Sequence, residues 1–113
     1  MEKVKRKLKE SNPTNYKELV VRDVTLDLHL SLIRYKDHEV ELTRNELRIL
    51  NLLFSRAGNV VSREAIMQML WENDDFVDDN TLTVNVNRLR RKLEGIGLEN
   101  MILTRKGLGY IVQ

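Results

Sequence analysis

The sequence predicts an α+β fold with a four-stranded antiparallel N-terminal sheet, three helices and a C-terminal β-hairpin. Three observations carry the prediction. Between Leu19 and Leu42 apolar residues recur with period two; between Thr43 and Leu93 they recur at helical spacing behind residues able to cap a helix; Gly107 and Gly109 interrupt the last apolar run. With 113 residues, 42% of them hydrophobic, the chain suffices for one core.

The elements follow in order. The opening "MEKVKRKLKE" is mostly basic, with Val4 and Leu8 placed to share one side of a short helix, and "SNPTNY" brings the only proline, Pro13. Residues 1 to 17 read as the end of something else plus a solvated linker, and residues 18 to 113 as the domain proper. Val24, Leu26, Leu28 and Leu30 alternate with Thr25, Asp27, His29 and Ser31, and Val40 and Leu42 alternate with Glu39 and Glu41. Breaks near Arg22-Asp23 and at "YKDH" divide this stretch into four short antiparallel strands, one face packed and one wet.

At Thr43 the period changes. "TRNE" is a capping box, in which the Thr43 hydroxyl takes a first-turn amide and Glu46 reaches back to the Thr43 amide. Leu47, Ile49, Leu50, Leu53, Phe54 and Ala57 then mark the inner face of a helix ending near Gly58. "NVV" is a short link. Ser62 caps a second helix, with Ile66, Met69 and Leu70 inward and Trp71 at its end.

The segment "TLTVNVNRLRRKL", residues 81 to 93, begins like a strand and ends like a helix. As a strand it would put Leu82, Val84 and Val86 on one face with Arg88, Arg90 and Lys92. A helix instead gathers Leu82, Val86, Leu89 and Leu93 within about 60° of one another. The helix, at about residues 79 to 94, is the consistent reading, with Asp78 or Asp79 as its cap and Gly95 just past its end. Opposite its core side lie Val84, Asn87, Arg88 and Arg91, with Asn80 close by and Thr83 and Asn85 on the flanks.

An exposed valine among amides and arginines suits a DNA major groove. Asn pairs with adenine in bidentate fashion, Arg does the same with guanine, and Val packs on a thymine methyl. Threonines and the later basic residues, Arg90, Arg91 and Lys92, suit phosphates. The plainer reading is a solvated helix. Yet from Asn80 to Lys92 there are four basic residues and no acidic one, so ion pairing within that stretch does not account for them.

"MILTRKGLGYIV", residues 101 to 112, reads as the hairpin. Ile102 and Leu103 lie in one strand and Tyr110 to Val112 in the other; Gly107 and Gly109 permit the turn, and Arg105 and Lys106 sit at the tip. A basic hairpin after a basic recognition helix is the winged helix-turn-helix arrangement, with the helix in the major groove and the wing at the minor groove or backbone. The two glycines alone do not make a dinucleotide fold or a P-loop.

Other chemistries find little support. Net charge is only +2 despite a pI near 9.0, so affinity for polyanions depends on where the charges sit. With no cysteine, disulfides, thiolate metal sites and cysteine nucleophiles are excluded, which fits a reducing, cytoplasmic setting. No apolar run is long enough to span a membrane, and no secretory signal is recognisable. Only His29 and His38 are available as neutral-pH bases, without a serine, aspartate and histidine constellation, so no enzyme is expected. "ENDDFVDDN" gathers Asp74, Asp75, Asp78 and Asp79 but lacks the alternating ligands and closing Glu of an EF-hand; neither a metal nor another cofactor is expected.

Together the runs "ELTRNELRILNLLFSRAGNVVSREAIMQMLW", "TLTVNVNRLRRKL" and "ILTRKGLGYIV" resemble the effector domain of OmpR/PhoB-type response regulators, transcription factors of bacterial two-component systems. The resemblance spans roughly residues 18 to 112 and extends to the branch that responds to cell-envelope-active antimicrobial peptides, hence to antibiotic resistance. It implies an N-terminal receiver domain, phosphorylated by a histidine kinase, of which residues 1 to 17 would be the last helix end plus linker. It also implies double-stranded DNA with direct repeats as the target, a dimer on DNA, and a monomer as one possible state of the isolated domain. Asn85, Asn87 and Arg88 fall where the family reads bases, with Val84 on the same groove face, and Thr81, Thr83 and Arg90 fall where it grips phosphate. The indole of Trp71 would reach a phosphate, the alternative being a core plug. The loop with Asp74, Asp75 and Asp78 would face RNA polymerase. Lys106 stands where relatives usually carry arginine, and Asn85 and Asn87 stand where they often carry His or Arg. The second functional class is a winged-helix module that binds protein through the same basic face.

Overall fold

A computed structural model describes residues 17–113; the expected short helix around Val4 and Leu8 and the linker through Tyr16 lie outside the described residues. Four strands come first: β1 (Glu18–Val21), β2 (Val24–Asp27), β3 (Leu32–Tyr35) and β4 (His38–Glu41), an antiparallel sheet in sequence order. In the β2–β3 register Leu26 faces Ile33, and both are fully buried with Val24.

The alternation anticipated through Leu30 stops at Asp27. That aspartate is 0% exposed although strand alternation places it on the wet face. Its Oδ1 accepts the amides of His29 (3.0 Å) and Leu30 (2.8 Å), and its Oδ2 accepts from Arg34 Nη2 at 2.9 Å. A buried carboxylate has to be satisfied, and binding two successive amides turns the chain. Leu30 is consequently exposed, and Ser31 takes a positive φ of 57° before β3 begins.

The helices begin as their caps dictate. Helix α1 (Arg44–Ser55) carries the complete capping box: Thr43 Oγ1 accepts from the Glu46 amide at 3.2 Å, and Glu46 Oε1 accepts from the Thr43 amide at 2.8 Å. Ile49, Leu50, Leu53 and Phe54 are buried, whereas Ala57 lies past the helix end and is exposed. In α2 (Arg63–Glu72) Ser62 Oγ accepts from the Ala65 amide at 3.0 Å, with Ile66 and Leu70 inward and Met69 half-buried. Asp78, rather than Asp79, caps α3 (Asp79–Gly95), its Oδ1 accepting from Thr81 at 2.8 Å. Gly95 is the last helical residue. The left-handed position that ends the helix falls on Gly97, φ 95°, where the Leu98 amide bonds back to the Leu93 carbonyl at 2.8 Å.

Strands β5 (Ile102–Arg105) and β6 (Gly109–Val112) form the hairpin, with Thr104 opposite Tyr110. Its two glycines serve different ends. Gly107, φ 77°, lies in the turn with open space where a side chain would begin. Gly109, φ 150°, is outside the turn, and a Cβ there would stand 2.0 Å from the Val61 carbonyl oxygen. That close approach lets Val61 and Tyr110 exchange hydrogen bonds of 2.8 and 3.0 Å, while the Gly58 amide reaches the Val112 carbonyl at 2.8 Å. The hairpin is thus joined to the α1–α2 link. Sheet, helices and hairpin share one core, which includes Leu26, Ile33, Leu50, Leu53, Leu70, Leu82, Leu89 and Val112.

Candidate nucleic-acid interface

Helix α3 divides as the helical wheel requires. Leu82, Val86 and Leu89 are fully buried and Leu93 nearly so. Opposite them Val84 is 47% exposed, with Asn80, Asn87, Arg88 and Arg91 also exposed; Thr81 and Thr83 are exposed on the flanks and Asn85 is half-buried. Burying the leucines supplies the stability that lets the outer face keep residues of no use to the core. Among the described residues neither Arg88 nor Arg91 takes part in an ion pair or side-chain hydrogen bond.

The other two basic residues of the burst are engaged within the fold. Arg90 is half-buried against the hairpin, where its Nε donates to the Ile102 carbonyl at 3.1 Å and its Nη2 to Thr104 Oγ1 at 2.5 Å. Its guanidinium also lies 5.6 Å from the centroid of the Tyr110 ring. Lys92 leans to the other flank, its Nζ 2.6 Å from Glu46 Oε1 and 3.0 Å from the Glu41 carbonyl. Glu46 is 2% exposed, so this ammonium balances a buried carboxylate that also completes the α1 cap. The expected phosphate-gripping role of both residues therefore competes with a structural one.

Arg63, at the first position of α2, was not singled out by any spacing in the sequence. Its Nη1 donates to the Tyr110 hydroxyl at 2.6 Å and its Nη2 to Thr83 Oγ1 at 3.0 Å, while Asp79 pairs with it at 3.1 Å. Tyr110 is therefore held by two arginines from two helices, with Arg63 5.8 Å from its ring centroid. Only proximity in space reveals this: Arg63 and Tyr110 are 47 residues apart. Thr83, expected at a phosphate, also donates to the Asp79 carbonyl at 3.1 Å.

Trp71 is 59% exposed, which removes the core-plug reading and leaves its indole on the surface at the end of α2. In the acidic loop the three expected contact residues separate. Asp75 is paired with Arg48 and, at 3.6 Å, with Arg44, and Asp78 is spent on the α3 cap. The Thr81 amide and hydroxyl hold the Asp78 carboxyl below the usual aspartate range. Asp74 is exposed at a positive φ of 66°, near the exposed Phe76. On the hairpin Arg105 ends β5 half-buried, and Lys106 occupies the turn, exposed. Among the described residues no group of three or more His, Cys, Asp or Glu could hold a metal ion, and no helix is long and apolar enough to cross a membrane.

Comparison with known proteins identifies the family and the fold. Residues 37–112 match the family described as transcriptional regulatory protein, C terminal. The response regulator protein GraR of Staphylococcus aureus (strain MRSA252) is 38% identical over 111 residues, covering 98% of this chain and 50% of its own length. This chain thus spans about half the length of the curated relatives it matches. Among solved structures, the C-terminal domain of the nisin resistance regulator NsrR, a lantibiotic response regulator, superposes with a TM-score of 0.77 at 43% identity, covering 85% of this chain and 97% of that one. The Klebsiella pneumoniae RstA DNA-binding domain, solved in complex with the RstA box, gives 0.70 at 25% identity over 85% and 96% of the two chains.

Proposed function

We propose, from the premise that this chain belongs to the C-terminal domains of transcriptional regulatory proteins, OmpR/PhoB type, that α3 lies in a DNA major groove while the hairpin wing lies at the neighbouring minor groove. Sequence-specific binding of double-stranded DNA is the task of such a domain, and regulation of transcription rather than catalysis is its output. One observation carries the placement. The outward side of α3 presents Val84, Asn87, Arg88 and Arg91 with no carboxylate paired to either arginine among the described residues, while its leucines are shut inside.

Val84, Asn85, Asn87 and Arg88 read bases, with Arg88 suited to a guanine edge and Val84 to a thymine methyl. Arg91, Thr81 and the Trp71 indole N–H position the duplex through phosphates, Thr83 joins them only by releasing the Asp79 carbonyl, and Arg105 with Lys106 supplies charge at the wing. Lysine is a point charge, so the wing contributes affinity rather than base choice. Arg90 and Lys92 act chiefly by holding the helix in place.

The whole regulator acts in the cytoplasm, carries a receiver domain ahead of this one, and answers a histidine kinase. The support is the half-length match to response regulators. The names of relatives, a nisin resistance regulator among them, support a role in the response to cell-envelope-active peptides. Two protomers on direct repeats are the expected assembly on DNA. Of the acidic loop, Asp74 is the residue left to meet a basic polymerase surface, since Asp75 and Asp78 have partners within the fold. Loss of promoter activation in Asp74→Lys with unchanged DNA affinity supports that contact; retained activation refutes it.

A salt titration tests the groove placement itself. Binding of a selected duplex should weaken log-linearly with salt, with a slope of about −0.9 per phosphate neutralised. A slope near zero, with the basic face instead capturing a protein, would favour the protein-binding reading.

A further inference from the structure

We infer that Arg90 fixes which way the Asn87 side-chain amide points, so that position 87 donates to the base edge, prefers guanine or thymine, and loses the bidentate reading of adenine. The inference rests on the major-groove placement of α3 proposed above. Arg90 is anchored on the wing side by the Ile102 carbonyl, by Thr104 Oγ1 and by the face of Tyr110. Held there, it presents Nη1 to Asn87, whose Oδ1 accepts at 3.3 Å.

A guanidinium has donors and no acceptor, so the amide atom that faces it has to be the oxygen. The Nδ2 group, with both its N–H donors, is then the end of this exposed side chain that Arg90 does not engage. Bidentate recognition of adenine needs Oδ1 and Nδ2 side by side at the base, one accepting from N6 and the other donating to N7. With Oδ1 drawn toward Arg90, the donor end is what reaches the groove. Guanine meets it with N7 and O6, and thymine with O4. Adenine meets it with N7 alone and sets the N6 donor beside it, so only one N–H is satisfied, and cytosine presents only the N4 donor. Asparagine at this position therefore differs in its reading from an unrestrained asparagine, and the difference is imposed by a residue three positions along, itself held by the wing.

Selection from random duplexes, carried out with the wild-type chain and with Asn87→Ala, identifies the position whose preference depends on Asn87. Guanine or thymine is expected there, with cytosine disfavoured about tenfold, the scale of one good base contact, and adenine by less because its N7 still accepts. Arg90→Lys, whose single ammonium cannot hold wing and amide together, should readmit adenine at that one position. Thr104→Val removes a wing anchor of Arg90 at an exposed site and should shift the preference the same way, but less. Adenine or cytosine as the wild-type preference overturns the inference, as does an Asn87→Ala profile identical to wild type. A preference left intact by Arg90→Lys overturns it too, and if melting shows that variant unfolded, the Thr104→Val profile decides in its place. Enrichment of no duplex at all would remove the groove placement itself, a failure distinct from selection of the wrong base.

Discussion

The two flanks of α3 and its outward face make different use of the same residue type. Arg90 on one flank is bound to the wing, and Lys92 on the other is bound to the buried Glu46 of α1. Arg88 and Arg91 on the outward face touch no carboxylate among the described residues. A run of four basic residues in five positions is thus two pins and two free charges. Charge density in a sequence does not measure charge available to a ligand; availability is decided by what lies opposite each side chain after folding.

Removing a pin should test this division most severely. Lys92→Met leaves Glu46 buried without its cation and should cost about 2–3 kcal/mol of stability, read from the urea midpoint. Breaking a fully enclosed pair costs about 3–5 kcal/mol, and the Lys92 side chain, 32% exposed, is less enclosed than that. If the midpoint does not move, Lys92 is a free charge after all. Arg88→Ala should do the reverse, leaving the midpoint within about 0.5 kcal/mol while costing about 1–3 kcal/mol of binding and blurring one base position. Equal losses on cognate and random duplex would remove Arg88 from the base-reading set. Arg91→Ala is expected to weaken every sequence alike and to lower the salt slope by about one unit.

The smallest effect concerns the start of the helix. The folded Asp78 carboxyl lies below the usual aspartate range because the Thr81 amide and hydroxyl favour its charged form. Its contribution is therefore complete above the unfolded value and fades as pH falls through the folded one. Wild type and Asp78→Asn, compared by urea unfolding from about pH 5 to about pH 2, should converge at the acid end. A constant difference would mean that the charge is irrelevant to the cap.

The inward face of α3 and the caps Thr43 and Ser62 were legible in the sequence because their determinants are local, and the third cap was narrowed to Asp78 or Asp79. Thr43, Ser62 and Asp78 each bind an amide three residues on, and Leu82, Val86, Leu89 and Leu93 repeat at helical spacing. The flanks were not legible. Lys92 finds Glu46 46 residues back, and Arg90 finds Thr104 14 residues ahead, distances at which no periodicity operates. Asp27 misled for a related reason: alternation assigns it to solvent, but Arg34 and two turn amides keep it fully buried. Trp71 stayed open between two readings until its neighbours were fixed in space.

The seam between Val61 and Tyr110, made possible by the bare backbone of Gly109, separates the wing into two mechanical zones. Its base is hydrogen-bonded to the link between the two helices, whereas Lys106, Gly107 and Leu108 overhang into open solvent. Mutational drift or an engineered graft can thus rewrite the overhang without reopening the hydrophobic interior. Any side chain introduced at the seam would instead prise the hinge side of the wing off its support, so retargeting by loop exchange should begin after Arg105 and stop before Gly109.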